Sequence, residues 1–255
     1  EKMIELLVGG NNPAGQQGIE PKGLTIEPEP VLVSRVLEGS YVLMDQTSTY
    51  AQGVHALQDA CRENSVHPQF VQSEGGIYRP LTFKENLQAR VEDYHSNEGD
   101  KLRLFKTWLN SCCGVAYKKG STKFKIVPLC EELVTIDEDF NQGFFPINYD
   151  SVQGVELDFS QAKYGTLLTQ QEVLEHPAWL VVVEEDKELL RAYTEIVFSE
   201  RKREKLMRFW IENNPDQDQL RALFVDNLDY DSYASGYYLN NRGSFLRVVA
   251  PQGAP

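Results

Sequence analysis

Apolar positions change period along this chain, and each period predicts an element. Tyr50, Val54, Leu57 and Cys61 recur at spacings of four, three and four, which predicts a helix over 48–62 with one buried face. Thr82-Phe83-Lys84-Glu85 has the spacing of a capping box and predicts the start of a second helix with the stripe Leu87, Val91 and Tyr94. Beyond Asn97 to Gly99, Leu102, Phe105, Leu109 and Cys112 fall on one face of a third predicted helix that ends near Gly114. A second capping box, Thr169-Gln170-Gln171-Glu172, precedes Pro177, after which Leu180, Val183, Leu190, Tyr193 and Val197 predict the longest helix. Asp216 is then expected to cap a helix carrying Leu220, Leu223, Phe224 and Leu228.

Other stretches suit strands. Val31 to Leu37 and Tyr41 to Met44 flank Glu38-Gly39-Ser40, and Gln69 to Gln72 and Ile77 to Arg79 flank Glu74-Gly75-Gly76, two hairpin-like arrangements. A third is expected near the end, where Tyr237 to Leu239 and Ser244 to Val249 surround Asn240-Asn241-Arg242-Gly243. Lys123 to Leu129 reads as a basic edge strand, with further strands at 133–136 and 155–159. Helices and hairpins come in separate groups, so the expected fold class is α+β, with hairpin-like strand pairs and several amphipathic helices around one core. One domain over 1–250 with a flexible tail at 251–255 is expected; were there two domains, the boundary would fall at Asn97 to Gly99.

The glycine-rich run within Leu6 to Gly18 is no dinucleotide loop, because Pro21, Pro28 and Pro30 forbid the helix that must follow it; a flexible loop is expected. No window reaches the length of a membrane span, and Glu1 to Val8 lack the features of a secretory signal. Four cysteines without paired spacing fit a reducing compartment, so a cytoplasmic location and no membrane partner are expected. Cys112 and Cys113 read as small apolar residues near a helix end, where the dipole disfavours a thiolate.

The net charge of −13 is unevenly spread: residues 1–128 hold fifteen acids and fourteen bases, residues 129–255 twenty-three and eleven. Within 101–125 there are seven bases and no acid, whereas 126–162 holds eight acids and no base. Paired or solvated surfaces explain such a boundary simply. A sharper alternative is an anion-binding face of Lys118, Lys119 and Lys123 with Trp108, since single-stranded nucleic acid is held by cations beside aromatic rings; the acidic whole opposes that at long range.

Catalytic signatures are sparse. Asp226, Asp229 and Asp231 stand close enough in sequence to converge on a divalent cation, although the run departs from a calcium-binding loop and also suits a solvated turn. Asp158 with Glu185 and Lys187 mimics the acids and lysine of metal-dependent nucleases, yet the last two also fit a periodic helix. GxSxG, HExxH and Walker A patterns are absent, and His55, His67, His95 and His176 are scattered. The leading expectation is therefore a non-enzymatic, intracellular accessory protein that binds another protein, with its acidic half, including Glu131, Glu132, Asp137 and Asp139, facing a basic partner. A metal-dependent phosphoester hydrolase is the alternative, and a non-catalytic nucleic-acid binder using 101–125 the third.

Overall fold

Local signals hold where one face of an element is buried and the other is wet. The structure, a computed structural model, describes residues 41–44, 49–63, 70–71, 76–96, 99–163, 165–211 and 215–248. Its elements run β1 (Tyr41–Met44), α1 (Tyr50–Glu63), α2 (Phe83–Ser96), β2 (Leu109–Tyr117), β3 (Lys123–Val127), α3 (Glu131–Val134), β4 (Phe145–Pro146) and β5 (Val155–Asp158). There follow α4 (Gln170–Leu174), α5 (Pro177–Val182), α6 (Lys187–Arg201), β6 (Phe209–Trp210), β7 (Gln219–Val225), β8 (Ala234–Tyr237) and β9 (Phe245–Val248). The expected helix at 48–62 is α1, with Tyr50, Val54, Leu57 and Cys61 all buried.

Both capping boxes form. Thr82 Oγ1 accepts from Glu85 N at 3.2 Å while Glu85 accepts from Thr82 N at 2.7 Å, and Thr169 and Glu172 do the same at 3.2 and 2.9 Å. Each reciprocal pair satisfies two backbone donors that a helix start leaves open, a contribution of about 1 kcal/mol per cap.

The main sheet has the order β5-β3-β2-β7-β8-β6, with β4 beside the start of β7. Its pairs are antiparallel except β6 and β8, which run parallel with Phe209 opposite Ala234. A second, two-stranded sheet joins β1 to β9, Tyr41 opposite Val248. The result is α+β, as expected, and the described residues belong to one compact unit.

β2 and β7 are buried along their whole lengths because each face of the sheet meets a separate core. One face sends Leu109, Cys113, Val115, Tyr117, Leu223 and Val225 towards Phe83, Trp179 and Tyr193 from the helices. The other sends Ala116, Leu220 and Ala222 towards Tyr50, Leu133, Tyr149 and Phe245. Strands covered on both sides carry apolar residues at every position, so their period of two disappears.

That double burial explains two corrections. The expected helix through Leu109 and Cys112 is instead a stretch of turns followed by β2, and the expected helix through Leu220 and Phe224 is β7. Cys112 and Cys113 consequently lie within a central strand, away from any helix end. The long helix is broken into α5 and α6: Glu184 and Glu185 adopt φ of 53° and 62°, and Asp186 caps α6 by accepting from Leu189 N at 3.0 Å. Residues 131–134 form helix α3, not a strand, and β3 lies inside the sheet between β2 and β5.

β9 pairs with β1 and not with β8, so the expected closing hairpin is absent from the described residues. Val71 and Tyr78 do form an antiparallel bridge, as the glycines between them suggested. The glycine-rich run, the strand expected at Val31 to Leu37 and the tail at 251–255 lie outside the described residues. No helix among the described residues is long and apolar enough to cross a membrane.

Candidate functional site

A concave pocket of about 260 Å³ opens where β6, β7 and β8 meet, lined by Arg208, Trp210, Arg221, Tyr233, Ser235 and Tyr238 among others. The parallel pairing of β6 with β8 brings Arg208 and Trp210 beside Tyr233 and Ser235, while the antiparallel pairing of β7 with β8 brings Arg221 to the same place. These contributors are distant in sequence and meet only through strand order.

Each arginine is held between two rings. The guanidinium carbon of Arg221 lies 3.8 Å from the Tyr238 ring centroid and 5.3 Å from that of Tyr117. Val115 opposes Arg221 and Tyr117 opposes Gln219 in the β2–β7 ladder, so Tyr117 reaches Arg221 diagonally on one face. Gln219 Oε1 accepts from Arg221 Nε and Nη2 at 3.2 and 3.1 Å, fixing the plane of the fork. Arg208 lies 4.9 Å from the Trp210 centroid and 5.2 Å from that of Tyr233. Such contacts hold a cation in place.

Behind Arg208 stands Asp226, wholly buried. Burial pushes its carboxyl above the usual carboxylate range, against the hydrogen bonds from Tyr233 and Asn227 N and the nearby charges of Arg90 and Arg208. Asp226 Oδ2, Ser232 Oγ and Arg208 Nε are buried without a hydrogen-bond partner.

Aromatic residues continue past the pocket. Trp108 packs against Phe224, Tyr230 and Tyr237 with centroids 6.0, 6.2 and 6.1 Å away, and Phe224 meets Tyr237 at 4.8 Å. Trp210, Tyr238 and Tyr230 nonetheless expose 41%, 41% and 59% of their surface. Gly236 is required here, because a Cβ on it would lie 2.1 Å from the Tyr117 hydroxyl.

The residues singled out from sequence are dispersed by the fold. Lys118 pairs with Asp150 at 2.8 Å and Lys123 with Glu156 at 2.7 Å, while Lys119 is exposed with its backbone N donating to Asp218 at 2.8 Å. The expected anion-binding set is thus split: its lysines join carboxylate-bearing loops, and Trp108 joins the aromatic cluster. Asp229 pairs with Arg201 and Asp231 with Arg203, each at 3.1 Å, while Asp226 is buried. Asn227, not an aspartate, caps the turn by accepting from Tyr230 N at 3.1 Å.

Asp158 ends β5, where Thr122 and Ser160 donate to its carboxylate and hold it down at about 2. Glu185 and Lys187 are exposed at the α5–α6 junction. Among the described residues no three His, Cys, Asp or Glu side chains are grouped to hold a metal ion. Cys112 and Cys113 are fully buried, and burial pushes the Cys113 thiol up to about 12.

Arg208, Trp210, Arg221 and Tyr238 carried no motif. One compositional signal was available: fifteen of the nineteen residues over 226–244 are Tyr, Ser, Gly, Asn or Asp.

No family model matches this chain, and no curated protein matches it in sequence. Its fold is similar to that of a solved structure described as "Accommodation of massive sequence variation in Nanoarchaeota by the C-type lectin fold". The two agree with a TM-score of 0.57 over 83% of this chain and 99% of that one, at 16% identity, a likeness of fold alone.

Proposed function

We propose that this chain is a non-catalytic module that binds another protein through the face built by β6, β8 and the 226–244 segment. The observation that carries this reading is the pocket in which Arg208 and Arg221 are each held between two aromatic rings, beside exposed Trp210, Tyr238 and Tyr230. Tyr, Trp and Arg dominate the energetics of protein interfaces, since each offers a large, stiff contact area at small entropic cost. Tyr, Ser, Gly and Asn together are the composition of antibody binding loops, where aromatic anchors stand among adaptable polar groups.

The division of labour in the fold supports the same reading. Stability resides in β2, β7 and the two cores that cover them, while Tyr230, Tyr238, Asn240 and Arg242 of the 226–244 segment stay exposed. The structurally similar protein is described as using the C-type lectin fold to accommodate massive sequence variation, a property suited to a scaffold whose face changes while its core persists. Four unpaired, buried cysteines are in keeping with action in a reducing compartment, for which we propose the cytoplasm.

The test is to display proteins from the source organism, recover binders, and compare variants of this chain. Trp210→Ala and Tyr238→Ala are expected to weaken each recovered partner at least tenfold, whereas Lys118→Ala and Lys123→Ala leave affinity unchanged. Equal affinity for all four variants would remove the face from consideration.

A further inference from the structure

We propose that the groove between β3, α3 and the 145–153 segment is a second docking surface, which receives a segment of a partner protein carrying a Lys or Arg beside an apolar side chain.

The acids of this region carry the first argument. The run 126–162 holds eight acids and no base, and the fold uses those acids unequally. Asp150 pairs with Lys118, Glu156 pairs with Lys123, and Asp158 accepts from Thr122 and Ser160. The other five, Glu131, Glu132, Asp137, Glu138 and Asp139, are exposed in and just after α3, and among the described residues no cation pairs with them. Like charges gathered in so short a stretch make a negative field that favours a cationic partner and repels an anionic one such as nucleic acid.

The groove gives that acidic patch an apolar floor. Its volume is about 510 Å³, and Val127, Phe145, Ile147, Val152 and Leu220 line it, together with Leu129, which is 44% exposed. Glu131 and Glu132 are in the lining, whereas no Lys, Arg or His is. Cys130 Sγ, also in the lining, donates to Glu132 Oε2 at 3.1 Å, and burial pushes that thiol up so that it keeps its proton. The Glu132 carboxylate is thereby held beside the apolar floor before a ligand arrives.

Floor and acids together select the occupant. A Lys or Arg side chain lays its apolar stem along an apolar surface while its charged head reaches out to a carboxylate. The volume falls within the roughly 300 to 1,000 Å³ typical of ligand sites, which suits a short stretch of chain. A bare metal ion is a poor match, because among the described residues no three His, Cys, Asp or Glu side chains are grouped to hold one.

This groove is separate from the pocket at β6, β7 and β8. Leu220 lines the one and Arg221 the other, and neighbouring residues of a strand point to opposite faces of the sheet. The second surface therefore stands or falls independently of the first.

The experiment is selection of phage-displayed random peptides on the full chain, with counter-selection against the chain carrying both Glu131→Lys and Glu132→Lys, followed by titration of synthetic peptides. Recovered peptides are expected to share a Lys or Arg beside an aliphatic or aromatic residue. Changing that base to Gln in the peptide should weaken binding by roughly tenfold, as should Leu129→Asp in the chain, while Trp210→Ala leaves affinity unchanged. Added salt should weaken binding as well. If the doubly substituted chain melts early, Glu131→Gln with Glu132→Gln and the change in the peptide give the same reading without it. A selection that yields no peptide dependent on Glu131 and Glu132 would overturn the inference, and any binders dependent on Trp210 would leave the first face standing. Groove-dependent peptides that contain no base would overturn it too, as would displacement of the peptides by spermine at lower concentration than by the free peptide, which would point to a small polyamine instead.

Discussion

Residues 101–125 and the face around β8 both bring cations together with aromatic rings, and the fold holds them differently. In the first, four of the seven cations meet acids: Arg103 meets Asp93, Lys106 Asp100, Lys118 Asp150 and Lys123 Glu156. Lys125 donates to the carbonyls of Tyr149 and Val152 at 3.0 and 2.9 Å. In the second, Arg208 and Arg221 each lie between two aromatic rings, with the buried Asp226 behind Arg208 and Gln219 accepting from Arg221. Density of charge along a sequence therefore says little about how each cation is held; that depends on which groups the chain folds back against it.

The comparison can be broken most forcefully at Gly236. Gly236→Val places carbon where the Tyr117 hydroxyl lies, so the β8 edge must move; a loss of about 3 kcal/mol in urea denaturation is expected, together with loss of partner binding. Tyr117→Phe in the same chain should recover part of that loss by removing the hydroxyl.

Tyr238→Ala sharpens the comparison next. It removes one ring from Arg221 at an exposed position, so binding should fall by about 2 kcal/mol while the denaturation midpoint shifts far less. In the other region Arg103→Ala strands the nearly buried Asp93, and a stability loss of about 1 to 2 kcal/mol with unchanged partner affinity is expected.

A smaller effect is expected from pH. His176 is buried at the start of α5, its Nε2 donating to Ala162 O at 2.8 Å, and burial lowers its pKa below the ordinary value. An imidazole with a depressed folded pKa is protonated first in the unfolded chain, so its contribution is present above about pH 6.5 and is lost as pH falls towards the folded value. Melting curves from pH 7.5 to 5 should show this loss, and His176→Gln should flatten it. Smallest of all, Lys118→Ala and Lys123→Ala should leave the melting midpoint where it was, because their partners are exposed and remain hydrated.

Much of the helical architecture was legible. α1 carries a period, and α2 a period and a capping box, since each presents one face to a core and one to water. The central strands were not, because double burial gave β2 and β7 apolar residues whose spacing also fits a helix. The break at Glu184 and Glu185 had no glycine or proline to announce it. Of the candidate site, the sequence pattern pointed to Trp108 and Asp226, and to each for a different role: Trp108 packs against the aromatic face and Asp226 is buried behind Arg208. The aspartates at 226, 229 and 231 have the spacing of metal ligands, whereas Tyr230 among them and Tyr233, Tyr237 and Tyr238 after them form the face.

By itself the sequence determined the α+β class, the first two amphipathic helices, the two capping boxes and the acidic surplus of the second half, because these depend on residues within a few positions of one another. Tertiary structure decided that β9 leaves β8 for β1, that β6 joins β8 in parallel, and hence that Arg208, Arg221 and Tyr238 share one pocket. Pairing between strands is set by which faces can be covered together, a competition among all segments of the chain that no local window contains.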